Sequence, residues 1–368
     1  MDVLGLDHVE LFVADPDDPI SVGVRTLGLV PSGLDRRSAG TTSRSYRCGS
    51  TSLVLTTPSG SWDAAGTVGE FLHRHGSGVA NIGLRTTDAA GSWRDAVAGG
   101  AEPVGPPVRH AGRGEVATTA TVRAFGDVSL TLVERSDPAP ARPFGFVEVP
   151  TDGGPGAGRP DFGGIDHLAV CLPPGELDAT AAYYTDVLGF VRSFEERVAV
   201  GGQAMDSIVV QDGRGALVLT LLCQDADLKP GQISRFVDAN GGAGVQHVAF
   251  LTPDVLRAVE LLRGSVDFLA IPPSYYEHLR DQPGVDPADV ARLEEAGVLR
   301  DRDPWGTILQ TFTRSGHPRE TLFFELVERR GARTFGSGNI RALYEAVGRV
   351  EPVDTSVHPD DQGPVAPR

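Results

Sequence analysis

The sequence predicts an α+β protein of two similar halves, each holding two modules that read strand, helix, then several strands. Three pairs of matching segments carry this expectation. GLDHVELFVADPDDPISVGVRTLGLV (5–30) and GIDHLAVCLPPGELDATAAYYTDVLGFV (164–191) share one order: Gly, an apolar residue, Asp-His, a short alternating strand, a polar turn, a helix-like stretch, then Leu-Gly. GVANIGLRTTDAAGSWRDAVAGGA (78–101) matches GVQHVAFLTPDVLRAVELLRGS (244–265), and SLTLVER (129–135) matches FFELVER (323–329).

Taken in order, residues 1–135 form the first half, with strands expected at DHVELFV and TSLVLTT from their short alternating apolar pattern. The Pro- and Gly-dense stretch 136–160 reads as a linker. Residues 161–350 form the second half, where SIVVQ is a strand and Val255, Val259 and Leu262 mark one face of a helix. Near its end, Ile340, Leu343, Tyr344 and Val347 share a helix face, either as core or as the roof of a site. Residues 351–368 are polar and Pro-containing and read as a flexible tail.

The length of 368 residues admits two or three domains. With 46 Gly and 27 Pro, many turns and short elements are expected. A net charge of −16 argues against nucleic acid or an anionic membrane surface as partner, since both need clustered Lys and Arg. Cys48, Cys171 and Cys223 are three, widely spaced and without a C-x-x-C pair, so no disulfide framework or zinc ribbon is expected. The amino terminus meets acidic residues at once, and no apolar run approaches a membrane span. A cytoplasmic protein is the expectation.

The repeat also permits an internal comparison of candidate ligands. The second half carries His167, His247 and Glu325 where the first half carries His8, Asn81 and Thr131. Two His and one carboxylate from three separate strands are the donor set of the facial triad that holds non-haem Fe(II). One half thus keeps three candidate ligands and the other keeps one, as duplication followed by loss would leave. His73 and His75 read as a surface pair without a third ligand, GGPGAG (153–158) lacks the context of a phosphate loop, and no nucleophile elbow is seen.

Residues 164–347 resemble the catalytic half of the 4-hydroxyphenylpyruvate dioxygenase family. The blocks that carry the resemblance are GIDHLAV, DSIVVQ, KPGQISRFVDANGGAGVQHVAF, PPSYYEHL, RDPWGTILQTFTR, TLFFELVERRGA and FGSGNIRALYEAV. The resemblance implies the vicinal-oxygen-chelate fold of βαβββ modules, with an open barrel in the C-terminal half around the metal. It also implies Fe(II) on His167, His247 and Glu325, and a 2-oxo acid and O2 as substrates of a homodimer. Ser207, Thr220, Gln232, Gln246 and Gln310 match the family's pocket positions, with a structural strand amide or hydroxyl as the alternative for each. Phe312, Phe323 and Phe335 would flank the substrate ring, and Asn339 would order the C-terminal helix.

Two products are known in the family, homogentisate and 4-hydroxymandelate. Leu222, where homogentisate-forming members carry Asn, and Ile340, where they carry a second Phe, resemble the hydroxymandelate-forming branch. Cys223-Gln224 departs from both branches, which carry Glu-Pro there. Homogentisate formation, a related aryl-pyruvate, and a non-enzymatic binding protein of the same fold are the competing expectations.

Overall fold

A computed structural model describes residues 1–35, 40–112, 115–136, 142–149, 158–336 and 338–342. The first half runs β1 (Val3–Phe12), α1 (Pro19–Thr26), β2 (Val30–Asp35), β3 (Thr41–Cys48), β4 (Thr51–Pro58), α2 (Thr67–His75), β5 (Gly78–Thr86), α3 (Ala89–Ala98), β6 (Pro103–Gly112), β7 (Glu115–Phe125), β8 (Val128–Arg135) and β9 (Val147–Glu148). The second half runs β10 (Gly164–Leu172), α4 (Leu177–Ala182), β11 (Val191–Val200), β12 (Gln203–Gln211), β13 (Val218–Gln224), α5 (Gln232–Asn240) and β14 (Gly244–Leu251). It continues with α6 (Val255–Leu262), α7 (Pro273–Arg280), α8 (Pro287–Ala296), β15 (Leu299–Arg302), β16 (Thr307–Phe312) and β17 (Phe323–Arg330).

The four expected βαβββ modules are present. In each, the first strand pairs in parallel with the last, and the middle strands run back antiparallel. Two modules join through their antiparallel first strands, β1 with β5 and β10 with β14. The sheets read β6-β7-β8-β5-β1-β4-β3-β2-β9 and β11-β12-β13-β10-β14-β17-β16-β15, each curled into an open half-barrel.

Local sequence explains the repeated helices. Asp88 and Asp254 cap α3 and α6 by accepting from the Gly91 and Arg257 amides at 2.7 and 2.9 Å. Glu134 and Glu328, at the ends of β8 and β17, accept from the Ala89 and Val255 amides. A carboxylate at a helix N-terminus is favoured by the exposed N–H groups and the dipole. On α6, Val255, Ala258, Val259 and Leu262 are buried, which is the 3.6-residue stripe the sequence shows.

Part of the stretch read as a linker belongs to the first sheet. β9 pairs with Gly33 and Leu34 of β2, and Phe146 is buried against Gly33. The remainder of that stretch, 137–141 and 150–157, lies outside the described residues. So do Leu343, Tyr344 and Val347 of the expected C-terminal stripe and the tail at 351–368. Residues 338–342 are helical, and the Ile340 amide donates to the Gly336 carbonyl at 3.0 Å.

One contiguous apolar core draws on both halves, from Val9 and Ile82 to Val170 and Phe324. Gly49, in the turn between β3 and β4, has φ +55, and a Cβ there would lie 1.9 Å from the Gly163 carbonyl just before β10. A side chain is therefore strained by its own backbone and would also push the halves apart. We expect Gly49→Ala to cost about 2–4 kcal/mol, read as a lower midpoint of urea unfolding.

Candidate metal centre

His167, Ala249 and Glu325 form one row across β10, β14 and β17, while His247 lies two residues along β14, opposite Ala169. Ala169 and Ala249 are small, so two imidazoles and a carboxylate have room to converge over them. A register shift in the β10–β14 ladder leaves Gln246 as an extra residue beside His247. His167 Nε2 and His247 Nε2 each stand 3.2 Å from Glu325 Oε2, and 3.4 Å from each other. Among the described residues, this is the only group of three or more His, Cys, Asp or Glu whose ligand atoms converge. Cis ligands of one ion with bonds of about 2.1 Å lie roughly 3.0 Å apart. The donor set and its spacing therefore fit a single divalent ion bound by one face.

The surroundings set the charges. Burial works against charge on His167, but Glu325 and Asp166 outweigh it and raise its pKa to about 9. Burial likewise opposes charge on Glu325, and the two histidines overcome it, bringing the carboxyl down to about 2. Burial and the neighbouring His167 charge lower His247. Within the triad Glu325 is thus held charged and His167 is the imidazole favoured to carry a proton, in the place a cation would fill.

Each ligand is held differently. His167 Nδ1 donates to Asp166 Oδ1 at 2.9 Å, and Asp166 accepts two bonds from Arg329, at 2.7 and 2.8 Å. Despite burial, these partners hold Asp166 well below the usual carboxylate range. The same guanidinium donates to the Thr334 carbonyl at 2.7 Å and lies over the Phe335 ring. Glu325 Oε1 accepts from Gln310 Nε2 at 2.8 Å, and Gln310 Oε1 accepts from Asn339 Nδ2 at 2.7 Å. His247 Nδ1 is buried with no hydrogen-bond partner among the described residues, and its ring stacks on Phe323 with centroids 4.9 Å apart.

The other expected pocket residues divide in two. Phe335 meets His167 edge-on at 4.9 Å, the Phe312 and His247 ring centroids lie 6.1 Å apart, and Ile340 packs against the apolar cluster that contains Leu222. Thr220 Oγ1 is buried with no partner among the described residues, and Gln246 is buried beside His247. By contrast, the Gln310 and Asn339 amides are engaged with each other and with Glu325 rather than left free for a ligand. Ser207 donates to the Glu196 carbonyl at 3.1 Å, and Gln232 is half-buried at the start of α5. Gln224 donates to the Ala204 and Lys229 carbonyls, so it ties down the loop after β13.

In the first half the same place is closed by polar groups that satisfy one another. Thr131 donates to Asn81 Oδ1 at 2.8 Å and Asn81 donates to Glu10, while the His8 ring lies on Gly83, where a Cβ would be 2.4 Å away. The pair read as surface histidines is a correction. His73 is exposed, but His75 is buried and bridges the Asn240 carbonyl and Asp127. Its place on α2 with Val68, Phe71 and Leu72 was visible as an apolar stripe. Asp166 and Arg329 also had a signal, since Asp7, His8 and Arg135 repeat the His–Asp and Asp–Arg pairings, with one bond from Arg135 where Arg329 makes two. The three cysteines are buried and free. No helix among the described residues is long and apolar enough to cross a membrane.

Paired βαβββ modules with two histidines and a glutamate on the inner face of one half-barrel define a class. Residues 164–310 match the model of the Glyoxalase/Bleomycin resistance protein/Dioxygenase superfamily. A probable 4-hydroxyphenylpyruvate dioxygenase 2 of Aspergillus fumigatus is 32% identical over 94% of this chain and 93% of its own. The 4-hydroxyphenylpyruvate dioxygenase of Neurospora crassa is 29% identical over 76% and 71%. A solved triple mutant of 4-hydroxymandelate synthase from Streptomyces coelicolor is 37% identical, with a TM-score of 0.85 over 95% of this chain and 99% of that one. The chain belongs to the 4-hydroxyphenylpyruvate dioxygenase family, whose members include dioxygenases and hydroxymandelate synthases.

Removing the carboxylate behind His167 tests the support of the centre. We expect Asp166→Ala to weaken divalent-metal binding by about 10–100-fold, measured by anaerobic titration.

Proposed function

We propose that the chain converts 4-hydroxyphenylpyruvate and dioxygen to 4-hydroxymandelate and carbon dioxide, with ferrous iron held by His167, His247 and Glu325. The carboxyl carbon of the 2-oxo acid leaves as carbon dioxide. One oxygen atom of dioxygen enters the new carboxylate at the former keto carbon, and the other becomes the benzylic hydroxyl. When bound, the iron supplies chelation of the 2-oxo acid and activation of dioxygen. The fit of the residues rests on their donor set and on three ligand atoms spaced for one ion.

The protein's own residues orient and exclude water. His167, held by Asp166 and Arg329, offers Nε2 in a fixed direction. Gln310 occupies the outer oxygen of Glu325, leaving Oε2 to face the histidines. Phe335 and Phe323 cover the two imidazoles with apolar rings.

The observation that carries the product assignment is the apolar cluster of Ala169, Cys171, Val198, Met205, Leu222, Ile233 and Phe236, with Ile340 packed against it. Homogentisate and 4-hydroxymandelate are isomers made from the same reactants, so position alone selects between them. A misplacement of about 1 Å changes relative rates by a large factor. Ile340 is smaller than Phe, and Leu222 offers no hydrogen bond to the phenol, so the ring tilts and presents its benzylic carbon. The resemblance to the Streptomyces synthase supports this reading. The curated dioxygenase relatives favour homogentisate as the second reading.

Incubation with Fe(II), oxygen and 4-hydroxyphenylpyruvate, followed by chromatography, is expected to give 4-hydroxymandelate. Homogentisate as main product overturns the assignment. Oxygen uptake should vanish in His247→Ala. Ile340→Phe should move product toward ring oxidation or slow turnover, and an unchanged ratio and rate would mean that residue 340 does not meet the substrate.

A further inference from the structure

We propose that Tyr275 is a positioning residue for this centre: acting through Asn339 and Gln310, it fixes the outer oxygen of Glu325 and holds residues 338–342 over the triad. The inference deepens the proposed function and rests on the metal-binding part of it.

Tyr275 stands on α7, and α7 and α8 have no counterpart in the second module, where α3 leads directly to β6. The one module with this helical insertion is also the one that carries Glu325. Its phenol oxygen accepts from the Arg300 amide at 2.8 Å. The phenol proton has two acceptors in reach, the Arg300 carbonyl at 2.8 Å and Asn339 Oδ1 at 3.0 Å.

The chemistry of the chain of contacts gives it a direction. A carboxylate only accepts, so Gln310 must turn its NH2 toward Glu325. Its carbonyl oxygen then faces Asn339, which must present its own NH2. Asn339 Oδ1 is left facing Tyr275, and there the phenol is the donor. Burial pushes the phenol well above its usual range, so it keeps its proton. Gln310, Asn339 and Glu325 are all nearly inaccessible to water, so no solvent molecule easily replaces a lost partner. The consequence at the metal is that one oxygen of Glu325 is occupied and the other is free to bind. The consequence above it is that Asn339, and with it neighbouring Ile340, is tied to a rigid helix.

The test is a double-mutant cycle on Fe(II) affinity, measured anaerobically by titration in the full chain, for wild type, Tyr275→Phe, Asn339→Ala and both together. Unfolding midpoints of the metal-free proteins are taken alongside. Tyr275→Phe keeps the ring and is expected to weaken Fe(II) binding about fivefold, the worth of one ordinary hydrogen bond. Adding it to Asn339→Ala should weaken binding no further. Oxygen consumed per product formed should also rise in Tyr275→Phe. Wild-type affinity in Tyr275→Phe overturns the proposal, and so does a fivefold loss that persists in the Asn339→Ala background, which would trace the effect to Arg300. If Asn339→Ala does not fold, Gln310→Leu takes its place in the cycle. A wild-type chain that binds Fe(II) but forms another product overturns the product assignment alone, and the cycle still decides the role of Tyr275.

Discussion

Burying Glu325 with two imidazoles under a roof of phenylalanines is the constraint on which the second half depends. A carboxylate out of water is costly unless charge and hydrogen bonds replace its hydration. Here both are supplied, by His167 and His247 at 3.2 Å and by Gln310 at 2.8 Å. Each supplier then needs support of its own. His167 leans on Asp166 and Asp166 on Arg329, while Gln310 leans on Asn339 and Asn339 on Tyr275. The need for partners spreads outward until it reaches backbone groups, at Thr334 on one side and Arg300 on the other. His247 is the exception, with Nδ1 unpartnered among the described residues and the Phe323 ring stacked on its face. Two members of the triad are therefore steered by hydrogen bonds and one by packing.

The first half serves as an internal control for that logic. It retains the Asp7–His8–Arg135 arrangement, so this trio belongs to the module and does not by itself make a metal centre. The difference lies one strand further on. Asn81 and Thr131 replace a ligand histidine and a ligand carboxylate, and they hydrogen-bond each other and Glu10. Gly83 replaces Ala249, and the His8 ring lies against the sheet instead of standing off it. Hydrogen bonds among Thr131, Asn81 and Glu10 occupy the place that the second half gives to its triad.

Much of this was legible in the sequence because a repeat is a pattern along the chain. The four modules and the three positions of the triad follow from matching segments, and each member lies at an equivalent strand position. What was hidden depends on contacts between distant residues. Arg329 meets Asp166 across 163 residues, and Tyr275 meets Asn339 across 64. Gln310 and Asn339 match pocket positions, yet nothing in their types says that their amides are spent on Glu325 and on each other. Phe146 was missed for another reason. Composition averaged over a Pro- and Gly-rich stretch conceals one apolar anchor, and that anchor brings β9 onto the first sheet.

The segment after β17 shows how support and selectivity become one problem. Arg329 and Asp303 grip it through the Thr334 carbonyl and amide, and Asp301 accepts from the Gly338 amide. Asn339 is bonded below to Gln310 and beside to Tyr275. Phe335 and Ile340 project from this segment, the first onto His167 and the second into the cluster with Leu222. Residues that fix the triad therefore also fix the side chains that, on the proposed reading, a substrate ring would meet. For a choice between two carbons of one molecule, a wall only slightly loose loses the distinction while leaving the oxidation possible. On the proposed reading, the hold on residues 333–336 and 338–340 therefore matters more for which product forms than for whether one forms.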